Sequence, residues 1–567
     1  MKRTTSRASH YAATMAIIFS ILLLAGSLGQ VGVVVGIAGT GAGTSLTEVT
    51  TLKEHSLIRI DNDTELISLA AAEGWSGNGT LTSPYIIENL EINATGSYNG
   101  IYIANISASL MIANCSVYGA ICATTDGYPY NYGAGVTICN VTGIMTIKNN
   151  LCSRNSEGIF VYGLNSSRLE DNTCDNNDHD GINLFGSTSN VIDNNICSGD
   201  EDNGIYLAGS SIRNTITDNI CCGESNGIYL YGSITNIVAG NQCKSDDHGI
   251  LLGISGNCTV SSNICGSETL SGITLECSNS SVVSGNTCND NSYYGIFLDT
   301  SNNDIVSGNT CNDNSYYGIF LGGSYSNKVK ENVCGSNGYY GIYLYSSWSN
   351  TVSGNTCDYN DHYGVYLYSA SINNTIQTNT CDGNLEVGIF LYSSGTENIV
   401  QGNECDNNGH YGIYLYSSNH VSIENNQIRT NGYYGIYLYN ESSNNTVQGN
   451  TCNDNLATGI FIYLECNNNT IQGNTCNGNS GIGIEILQSC SNNNIRGNTC
   501  SGNGVGISVD TTGVGNNVSA NTVGSTSGNS DWVWFVAGFV IFLAIVLAIF
   551  LVMRNKANPS KKRKSGK

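Results

Sequence analysis

The sequence predicts an all-β solenoid, a parallel β-helix in which each coil contributes three short strands to three sheets. One of two periodic features that predict it is a series of cysteines spaced 22 to 24 residues apart, which opens at Cys152 and is interrupted once, at Ile428. Because each interval has the length of one supersecondary unit, every coil places the same small side chain at the same point. The later members of the series are Cys174, Cys197, Cys221, Cys243, Cys265, Cys288, Cys311, Cys334, Cys357, Cys381, Cys405, Cys452, Cys476 and Cys500.

The second feature is a ladder of glycines, each followed by an alternating strand such as Gly341–Tyr345. Ile342 and Leu344 of that strand point to one face, and its two tyrosines point to the other. Two further short strands complete the coil, and Gly354 separates them at a turn that needs a residue tolerant of positive φ. The ladder comprises Gly158, Gly181, Gly204, Gly227, Gly249, Gly272, Gly295, Gly318, Gly341, Gly364, Gly388, Gly412, Gly435, Gly459, Gly483 and Gly506.

Asparagines form a third periodic set, two residues before the cysteine position and therefore on the same inward face. Coils stacked in register repeat identical side chains about every 4.8 Å, so amide side chains can bond one another along the stack. A buried amide is costly unless it is hydrogen-bonded, and such a ladder satisfies it. Its members are Asn286, Asn309, Asn332, Asn355, Asn379, Asn403, Asn426, Asn450, Asn474, Asn498 and Asn521.

Two other repeat folds of similar period fit the coils less well. A leucine-rich repeat needs spaced leucines and room for a helix, whereas Gly, Asn and Ser interrupt these coils every few residues. The Gly-Gly-x-Gly-x-Asp signature of calcium-binding nonapeptide repeats is absent. The coils resemble the right-handed β-helix repeats of the pectate-lyase-like superfamily, specifically NosD-like and carbohydrate-binding/sugar-hydrolysis surface proteins. The resemblance runs from about Pro84 to Gly524, and it is specific for fold but weak for activity.

The N-terminal part precedes the repeats, which we assign to residues 98–524. Residues 1–43 are predicted to be a secretory signal peptide or an uncleaved anchor, because basic residues precede an apolar stretch. Residues 56–97 resemble the lead-in of archaeal surface β-helix proteins and are assigned to a capping segment and first coil. A short helix there would cover the exposed edge of that coil, with Asp63 or Thr64 as its N-cap.

The C-terminal part carries a membrane signal. A linker, 525–531, leads into residues 532–553, which lack charge and are long enough to form a transmembrane helix. Seven basic residues follow in the tail 554–567. The positive-inside rule puts that tail in the cytoplasm and the β-helix outside. We therefore expect a single-pass protein of the cell membrane with an extracellular β-helix.

The predicted ectodomain is strongly acidic. Of 21 basic residues, three precede the first apolar segment and seven follow the last, so 11 remain against 44 acidic residues, a formal charge of −33. This charge excludes nucleic acid as a partner and suits a hydrated surface protein that binds cations weakly. Glycosylation sequons are frequent, which favours a glycoprotein, although some arise from turn composition.

The cysteine ladder has a structural and a functional interpretation. The NosD resemblance implies an association with copper, and a column of thiols could bind a soft metal. The structural interpretation is favoured, because thiols are small and readily buried, Ile428 replaces one of them, and metal sites need convergent ligands. We predict no metal site there.

Two cysteines outside the ladder, Cys466 and Cys490, lie at equivalent points of successive coils, where an oxidising exterior would permit a disulfide.

Aromatic residues recur at two outward positions of the glycine-containing strand, which predicts two exposed stripes. Ring packing on a sheet explains them as well as function does. The functional alternative is a long platform for sugar rings, since an exposed aromatic surface of this extent usually contacts a partner. The proposed carbohydrate-binding residues are Tyr343, Tyr345, Tyr366, Tyr368, Tyr414 and Tyr416.

Candidate catalytic residues lie in the turn before the ladder glycine: Asp178, His179, Asp180 and Asp202. With Glu157 one coil earlier they would bring acids and a histidine together, and such crowding raises carboxyl pKa values or recruits calcium. Enzymes of the resembled fold carry acid and base residues on such a face. Lyases also need a basic residue, and few lie near, so an enzyme is the less favoured alternative.

The sequence thus predicts a membrane-anchored extracellular β-helix with a structural or carbohydrate-binding role. Its expected partner is a polysaccharide or another cell-envelope component, and no cofactor is expected apart from calcium at the acidic patch. The alternative is a lyase, hydrolase or epimerase acting on extracellular glycans.

Overall fold

The structure, a computed structural model, describes residues 51–121 and 133–525. The predicted signal or anchor segment, the transmembrane helix 532–553 and the basic tail lie outside these residues. Within the described residues, no helix is both long and apolar enough to cross a membrane.

The chain divides into two compact units, Met1–Thr380 and Cys381–Lys567. The described part of each unit is a parallel β-solenoid with three sheets, and the two units together make about 19 turns. Every strand pairs in parallel with the equivalent strand one coil away, as the Ile319↔Ile342 and Ile342↔Val365 partners illustrate. The all-β parallel solenoid predicted from the sequence is confirmed.

The glycine sheet contains the strands that carry the ladder glycines, together with the equivalent strands of the first coils. In the first unit these are Ile58–Ile60, Ile101–Ala104, Ala134–Cys139, Glu157–Tyr162, Ile182–Phe185, Asn203–Ala208, Asn226–Tyr231, His248–Gly253, Ser271–Glu276, Tyr294–Asp299, Tyr317–Gly322, Tyr340–Tyr345 and Tyr363–Tyr368. In the second unit they are Val387–Tyr392, Tyr411–Tyr416, Tyr434–Tyr439, Ile460–Tyr463, Ile482–Leu487 and Val505–Val509.

The middle sheet contains the strand that follows in each coil. Its members in the first unit are Tyr85–Glu88, Leu110–Ala113, Met145–Lys148, Arg168–Glu170, Val191–Asp193, Thr215–Thr217, Ile237–Ala239, Thr259–Ser261, Val282–Ser284, Ile305–Ser307, Lys328–Lys330, Thr351–Ser353 and Thr375–Gln377. Those of the second unit are Ile399–Gln401, Ser422–Glu424, Thr446–Gln448, Thr470–Gln472, Asn494–Arg496 and Asn517–Ser519.

The cysteine sheet completes each coil. Its strands are Lys53–His55, Leu90–Asn93, Ser116–Tyr118, Leu151–Ser153, Thr173–Asp175, Ile196–Ser198, Ile220–Cys222, Gln242–Lys244 and Ile264–Gly266 in the first unit, and Gln427–Arg429, Thr451–Asn453, Thr499–Cys500 and Thr522–Val523 in the second. From Thr287 to Thr380 the sheet narrows to single bridges between successive coils.

The core of each solenoid is a set of stacked identical side chains. Ile342, Leu344, Val352 and Cys357 of one coil are fully buried. The ladder cysteines are Cα partners of one another, for example Cys174↔Cys197, and all are at most 2% exposed. The inward phase of the cysteine ladder is therefore confirmed.

The predicted asparagine ladder is also confirmed, and we call it the first asparagine ladder. Asn309 Oδ1 accepts hydrogen bonds from the backbone N–H and from Nδ2 of Asn286, both at 2.9 Å. Asn286 Nδ2 also donates to the Val260 carbonyl at 3.0 Å. Each buried amide is thus satisfied by the coil on either side.

Three further ladders were not predicted, one of which is a buried asparagine column directly before the middle sheet that includes Asn327, Asn350 and Asn374. The second asparagine ladder lies three residues after each cysteine position and includes Asn155, Asn177, Asn291, Asn314, Asn337 and Asn360 in the first unit and Asn384, Asn408, Asn431, Asn455, Asn479 and Asn503 in the second, all buried. A serine ladder precedes the middle sheet and includes Ser278, Ser301, Ser324, Ser347 and Ser371, then Ser394, Ser418 and Ser442. From composition alone, these Asn and Ser residues are expected only as turn formers.

One helix, Asp63–Glu73, packs against the first strand of the glycine sheet. Its N-cap is Asn62, whose Oδ1 accepts from the Glu65 N–H at 3.0 Å, so the prediction of Asp63 or Thr64 is wrong. The Asp63 carboxylate instead accepts from the N–H of Ser107 at 2.9 Å, a contact between helix and solenoid that sequence spacing could not show.

Candidate functional site

An aromatic face covers the outside of the glycine sheet in both units, and it is four columns wide. The sequence predicts the third column (Phe297, Phe320, Tyr343 and Tyr366; then Phe390, Tyr414, Tyr437 and Phe461) and the fourth (Tyr345 and Tyr368; then Tyr392, Tyr416, Tyr439 and Tyr463). The prediction misses the first column (Tyr293, Tyr316, Tyr339 and His362; then His410 and Tyr433) and the second (Tyr294, Tyr317, Tyr340 and Tyr363; then Tyr411 and Tyr434). The repeated Tyr-Tyr-Gly and His-Tyr-Gly triplets were the available signal.

The third column is a buried stack. Tyr343 lies between Phe320 and Tyr366 with ring centroids 4.9 and 5.1 Å away and planes within 11° of parallel. Tyr340 of the second column packs edge-on against Tyr343 at 5.3 Å. Tyr343 and Tyr366 are each only 9% exposed, so the predicted exposure of these two rings is wrong. Their neighbours in the second column cover them.

Tyr414 of the second unit is half-buried in an equivalent stack, 5.0 Å from Tyr437 with planes 6° apart. Burial is the largest cause that raises the pKa of Tyr343, Tyr366 and Tyr437, and the neighbouring tyrosine hydroxyl groups raise it further. These phenols remain protonated under all ordinary conditions, and their ring faces are occupied by one another.

The fourth column differs, because most of its rings are tilted. The planes of Tyr345 and Tyr368 meet at 42°, and those of Tyr392 and Tyr416 at 38°. Tyr416 and Tyr439 are nearly perpendicular, at 76°. Tyr345 is 43% exposed, and the others are half-buried. Other rings of the column are stacked, Tyr368 on Tyr366 at 10° and Tyr439 on Tyr463 at 16°, so the column offers only part of its aromatic surface to solvent.

The acidic patch of the first unit comes together in part. His179 Nδ1 lies 2.9 Å from Asp202 Oδ2, and both side chains are about half exposed, at 52% and 58%. Asp178 is exposed beside them. Asp180 is buried and accepts hydrogen bonds from Nδ2 of Asn183 at 2.8 Å and of Asn203 at 2.7 Å. The patch therefore has an exposed rim and a buried acid.

Glu157 lies beneath the patch, 5% exposed, and its Oε2 has no hydrogen-bond partner. Burial is the largest cause that raises the pKa of both Glu157 and Asp180. The negative charge of Asp180 raises the pKa of Glu157 further. The nearby Arg168 is engaged on the middle sheet with Glu170 at 2.7 Å and Asp193 at 3.8 Å. In the part of the chain that the structure describes, no group of three or more His, Cys, Asp or Glu side chains is arranged to hold a metal ion.

Cys466 and Cys490 are both free and buried, so the predicted disulfide is not formed in the structure. They continue the serine ladder: Cys466 N–H donates to Cys490 Sγ at 3.3 Å, as Ser418 N–H donates to Ser442 Oγ at 3.2 Å. A thiol here replaces a hydroxyl group. The fixed spacing to Ser442 was the signal that could have indicated it.

Residues 76–268 and 252–385 match the family model described as periplasmic copper-binding protein (NosD). Together they span more than half of the chain. The chain belongs to the NosD family. Residues 372–523 additionally match a model of the right-handed β-helix region. Since NosD proteins are periplasmic or extracellular, this NosD-family chain is a β-helix protein of the cell surface or periplasm.

Three solved structures are similar to parts of this chain. The Dettilon tailspike protein (gp208) is 17% identical with a TM-score of 0.37, covering 49% of this chain and 62% of its own, so the match spans less than two thirds of that protein. The periplasmic alginate epimerase AlgG is 12% identical over 81% of this chain and 88% of its own, with a TM-score of 0.28.

The third is the DFA-IIIase from Arthrobacter chlorophenolicus A6 without its lid, 11% identical over 60% of this chain and 89% of its own, with a TM-score of 0.30. None of these likenesses indicates what the NosD-family chain does. No curated protein matches the sequence significantly.

Proposed function

We propose that this NosD-family protein is a membrane-anchored extracellular β-helix that binds a polysaccharide, or another polymer of the cell envelope, along the fourth aromatic column. The observation that carries the proposal is the exposure of Tyr345, 43%, against 9% for Tyr343 and Tyr366 of the third column. A sugar ring packs on the face of an aromatic ring. The rings of the third column stack on one another, whereas Tyr345 of the fourth column reaches solvent.

Repetition supports an extended ligand. The column presents a ring in successive coils about 4.8 Å apart. A polymer that contacts one ring is held close to the next, so each further contact forms within an existing complex and strengthens binding beyond the single-ring affinity. Affinity should therefore increase with the length of the oligosaccharide until the column of one unit is covered.

Charge narrows the class of polymer. The chain carries 44 acidic against 21 basic residues, so a polyanionic glycan would be repelled unless cations intervene. A neutral polysaccharide fits the surface best. The same acidity disfavours nucleic acid as a partner.

The test compares two columns of the same sheet. In the full-length protein, the fourth-column double substitution Tyr345→Ser and Tyr368→Ser should weaken binding to a glycan array about tenfold, if each ring contributes about 0.7 kcal/mol. The melting temperature should change little, because these rings are outermost. The matched control is Tyr343→Ser with Tyr366→Ser, which should lower the melting temperature strongly, because it opens a buried stack.

Unchanged glycan binding by the fourth-column variant would refute the carbohydrate proposal and leave the aromatic face as sheet packing.

Incubation of the protein with the same glycans also tests the alternative function. A glycan-acting enzyme is favoured by one observation: Asp180 and Glu157 are buried acids with raised pKa, joined through Asn183 beneath the His179–Asp202 pair. Cleaved or epimerised products that disappear with Asp180→Asn, while binding persists, would support that alternative.

A further inference from the structure

Four successive coils of the first unit carry an acid at the position that the second asparagine ladder otherwise fills with asparagine. They are Asp200, Glu224, Asp246 and Glu268, and their side chains are 1%, 5%, 0% and 0% exposed. Twelve other described coils have asparagine at this position. The four acids are therefore substitutions within an interior ladder and do not belong to the surface.

Asparagine at this position both accepts and donates. Asn314 donates from its backbone N–H and from Nδ2 to Asn337 Oδ1, both at 3.1 Å. Asn291 Nδ2 donates to Asn314 Oδ1 at 2.9 Å and to the Cys265 carbonyl at 3.4 Å. The amide nitrogen thus faces two acceptors, and only an atom that carries a proton suits its place.

The acids reproduce the accepting half of this pattern. Asp200 Oδ1 accepts from the N–H and Nδ2 of Asn177, both at 2.8 Å. Asp246 Oδ1 accepts from the Glu224 N–H at 3.1 Å, and Glu268 Oε2 accepts from the Asp246 N–H at 2.7 Å. One oxygen of each of these three carboxyl groups therefore takes the place of asparagine Oδ1.

The second oxygen takes the place of asparagine Nδ2. Asp200 Oδ2, Asp246 Oδ2 and Glu268 Oε1 each lie against a ladder glycine, as Nδ2 of Asn291 and Asn314 does in later coils. These three oxygens, and both oxygens of Glu224, are buried without a hydrogen-bond partner. A bare carboxylate oxygen there would face acceptors in a water-free interior, which is strongly unfavourable.

We propose that Asp200 and Glu268 are neutral carboxylic acids in the folded protein and that Glu224 and Asp246 hold one proton between them. An O–H then takes the place of the asparagine N–H, and the four coils loosen as the pH rises. A protonated carboxyl group has one donor and one acceptor, which is the inventory that the ladder needs. Glu224 and Asp246, which lie next to each other in the column, share a proton in this arrangement.

The surroundings favour the neutral form. Inside, the column faces the thiols of Cys197, Cys243 and Cys288. Outside, Asp175 adds negative charge near Asp200, and Lys244 acts on Cys222 at the surface. Burial, the largest cause in each case, raises the pKa of all four acids, to about 9 for Asp200 and Glu268.

The sign of the pH effect follows from these shifts. A carboxyl group whose pKa is raised on folding contributes stability that is fully present below its unfolded pKa of about 4. That contribution declines as the pH rises and is lost once the pH passes the folded value. The four coils should therefore be most stable in acid and loosen towards pH 9, whereas coils with asparagine at the same position should not.

Hydrogen–deuterium exchange on the full-length protein tests the proposal. Peptides from residues 197–268 should exchange about tenfold faster at pH 9 than at pH 6, after normalisation to residues 309–337 of the same molecule, where the ladder is asparagine. The fourfold substitution Asp200→Asn, Glu224→Gln, Asp246→Asn and Glu268→Gln should abolish that difference. Asp218→Asn, which removes an exposed acid from the same coils, should leave it unchanged.

A second readout covers the case that the fourfold variant does not fold. Infrared spectra of the unsubstituted protein at pH 7 should contain a protonated-carboxyl C=O band, and Glu268→Gln alone should diminish it. Absence of the band would overturn the proposal. So would pH-independent exchange in the unsubstituted protein, or protection of these coils by added calcium at pH 9, which would indicate that a cation and not protons neutralises the acids.

Discussion

At the scale of single residues, one requirement explains most buried polar side chains in the solenoid. Each ladder position needs a short side chain that accepts the backbone N–H of a neighbouring coil. Asparagine meets it in Asn309, serine in Ser442, cysteine in Cys490 and an acid in Asp200. The ladder thus fixes the hydrogen-bonding role of the residue and tolerates changes in its chemical identity.

The cysteine column differs, because its thiols fill space. Native Cys311, Cys334 and Cys357 should resist alkylation, since all three are fully buried, whereas exposed Cys277 should react and serves as the internal control. Cys334→Val should fold with a loss of less than about 1.5 kcal/mol in the free energy of unfolding, because the volumes are similar. Alkylation mapped by mass spectrometry and denaturant unfolding measure the two effects.

Copper tests the functional interpretation of the same column. The family model is named for copper binding, yet these sulfurs are stacked one coil apart in a closed interior. Parallel ligands do not converge on one ion. Stoichiometric copper that the native protein retains and Cys334→Val loses would contradict the space-filling role.

At the scale of the coil, glycine serves two different purposes. Gly354 has φ +63°, as predicted, but the same corner holds Glu331 and Thr378 at φ 57° and 53° in neighbouring coils. Gly341 has no such conformation. A Cβ on Gly341 would lie 2.7 Å from the Gly364 carbonyl oxygen, so the ladder glycine is required by the close approach of the next coil.

These two glycines form a matched pair for substitution. Gly341→Ala should destabilise the protein by about 1–3 kcal/mol, because a methyl group must displace backbone on the adjacent coil. Gly354→Asn should cost less than about 1 kcal/mol, since asparagine adopts positive φ readily. Equilibrium unfolding of both variants measures the difference, and equal losses would show that conformation, not space, selects the ladder glycine.

The sequence predicted the coil better than it predicted the surface. Alternation in Gly341–Tyr345 gives the inward side chains directly, because strand periodicity is local. It could not show that Tyr340 lies over Tyr343, since that contact depends on how the turn before the strand folds back. For the same reason the sequence predicts Asp180 as part of an acidic patch on the outer face, although its side chain is buried.

At the scale of the whole molecule, the terminal segments decide where the β-helix works. Family membership puts it outside the cytoplasm, and the sequence predicts a cytoplasmic tail after residue 553. The fold could be predicted from sequence periodicity, because about 19 coils repeat the same pattern of residues. Periodicity gave no equivalent signal for a ligand, because aromatic repetition has the same appearance whether it serves packing or binding.

Membrane orientation is testable on intact cells that express the protein. External protease should cut the β-helix at exposed turns and leave the tail 554–567 protected, because basic residues are retained on the cytoplasmic side. Immunoblots with separate antibodies to the β-helix and the tail report each part. Permeabilised cells, in which the tail should also be digested, are the control, and a fully protected β-helix in intact cells would refute the orientation.

The one-to-one register of the coils also affects how such a gene can change. Val283–Leu298 recurs without a difference as Val306–Leu321 in the next coil. Unequal recombination between such copies adds or deletes a whole coil. Because each ladder residue bonds the equivalent residue of the next coil, a shortened or lengthened protein should keep the same hydrogen-bonding pattern. Copy-number variants of this segment should therefore be inherited as functional alleles that differ in reach by one sheet spacing, about 4.8 Å, per copy.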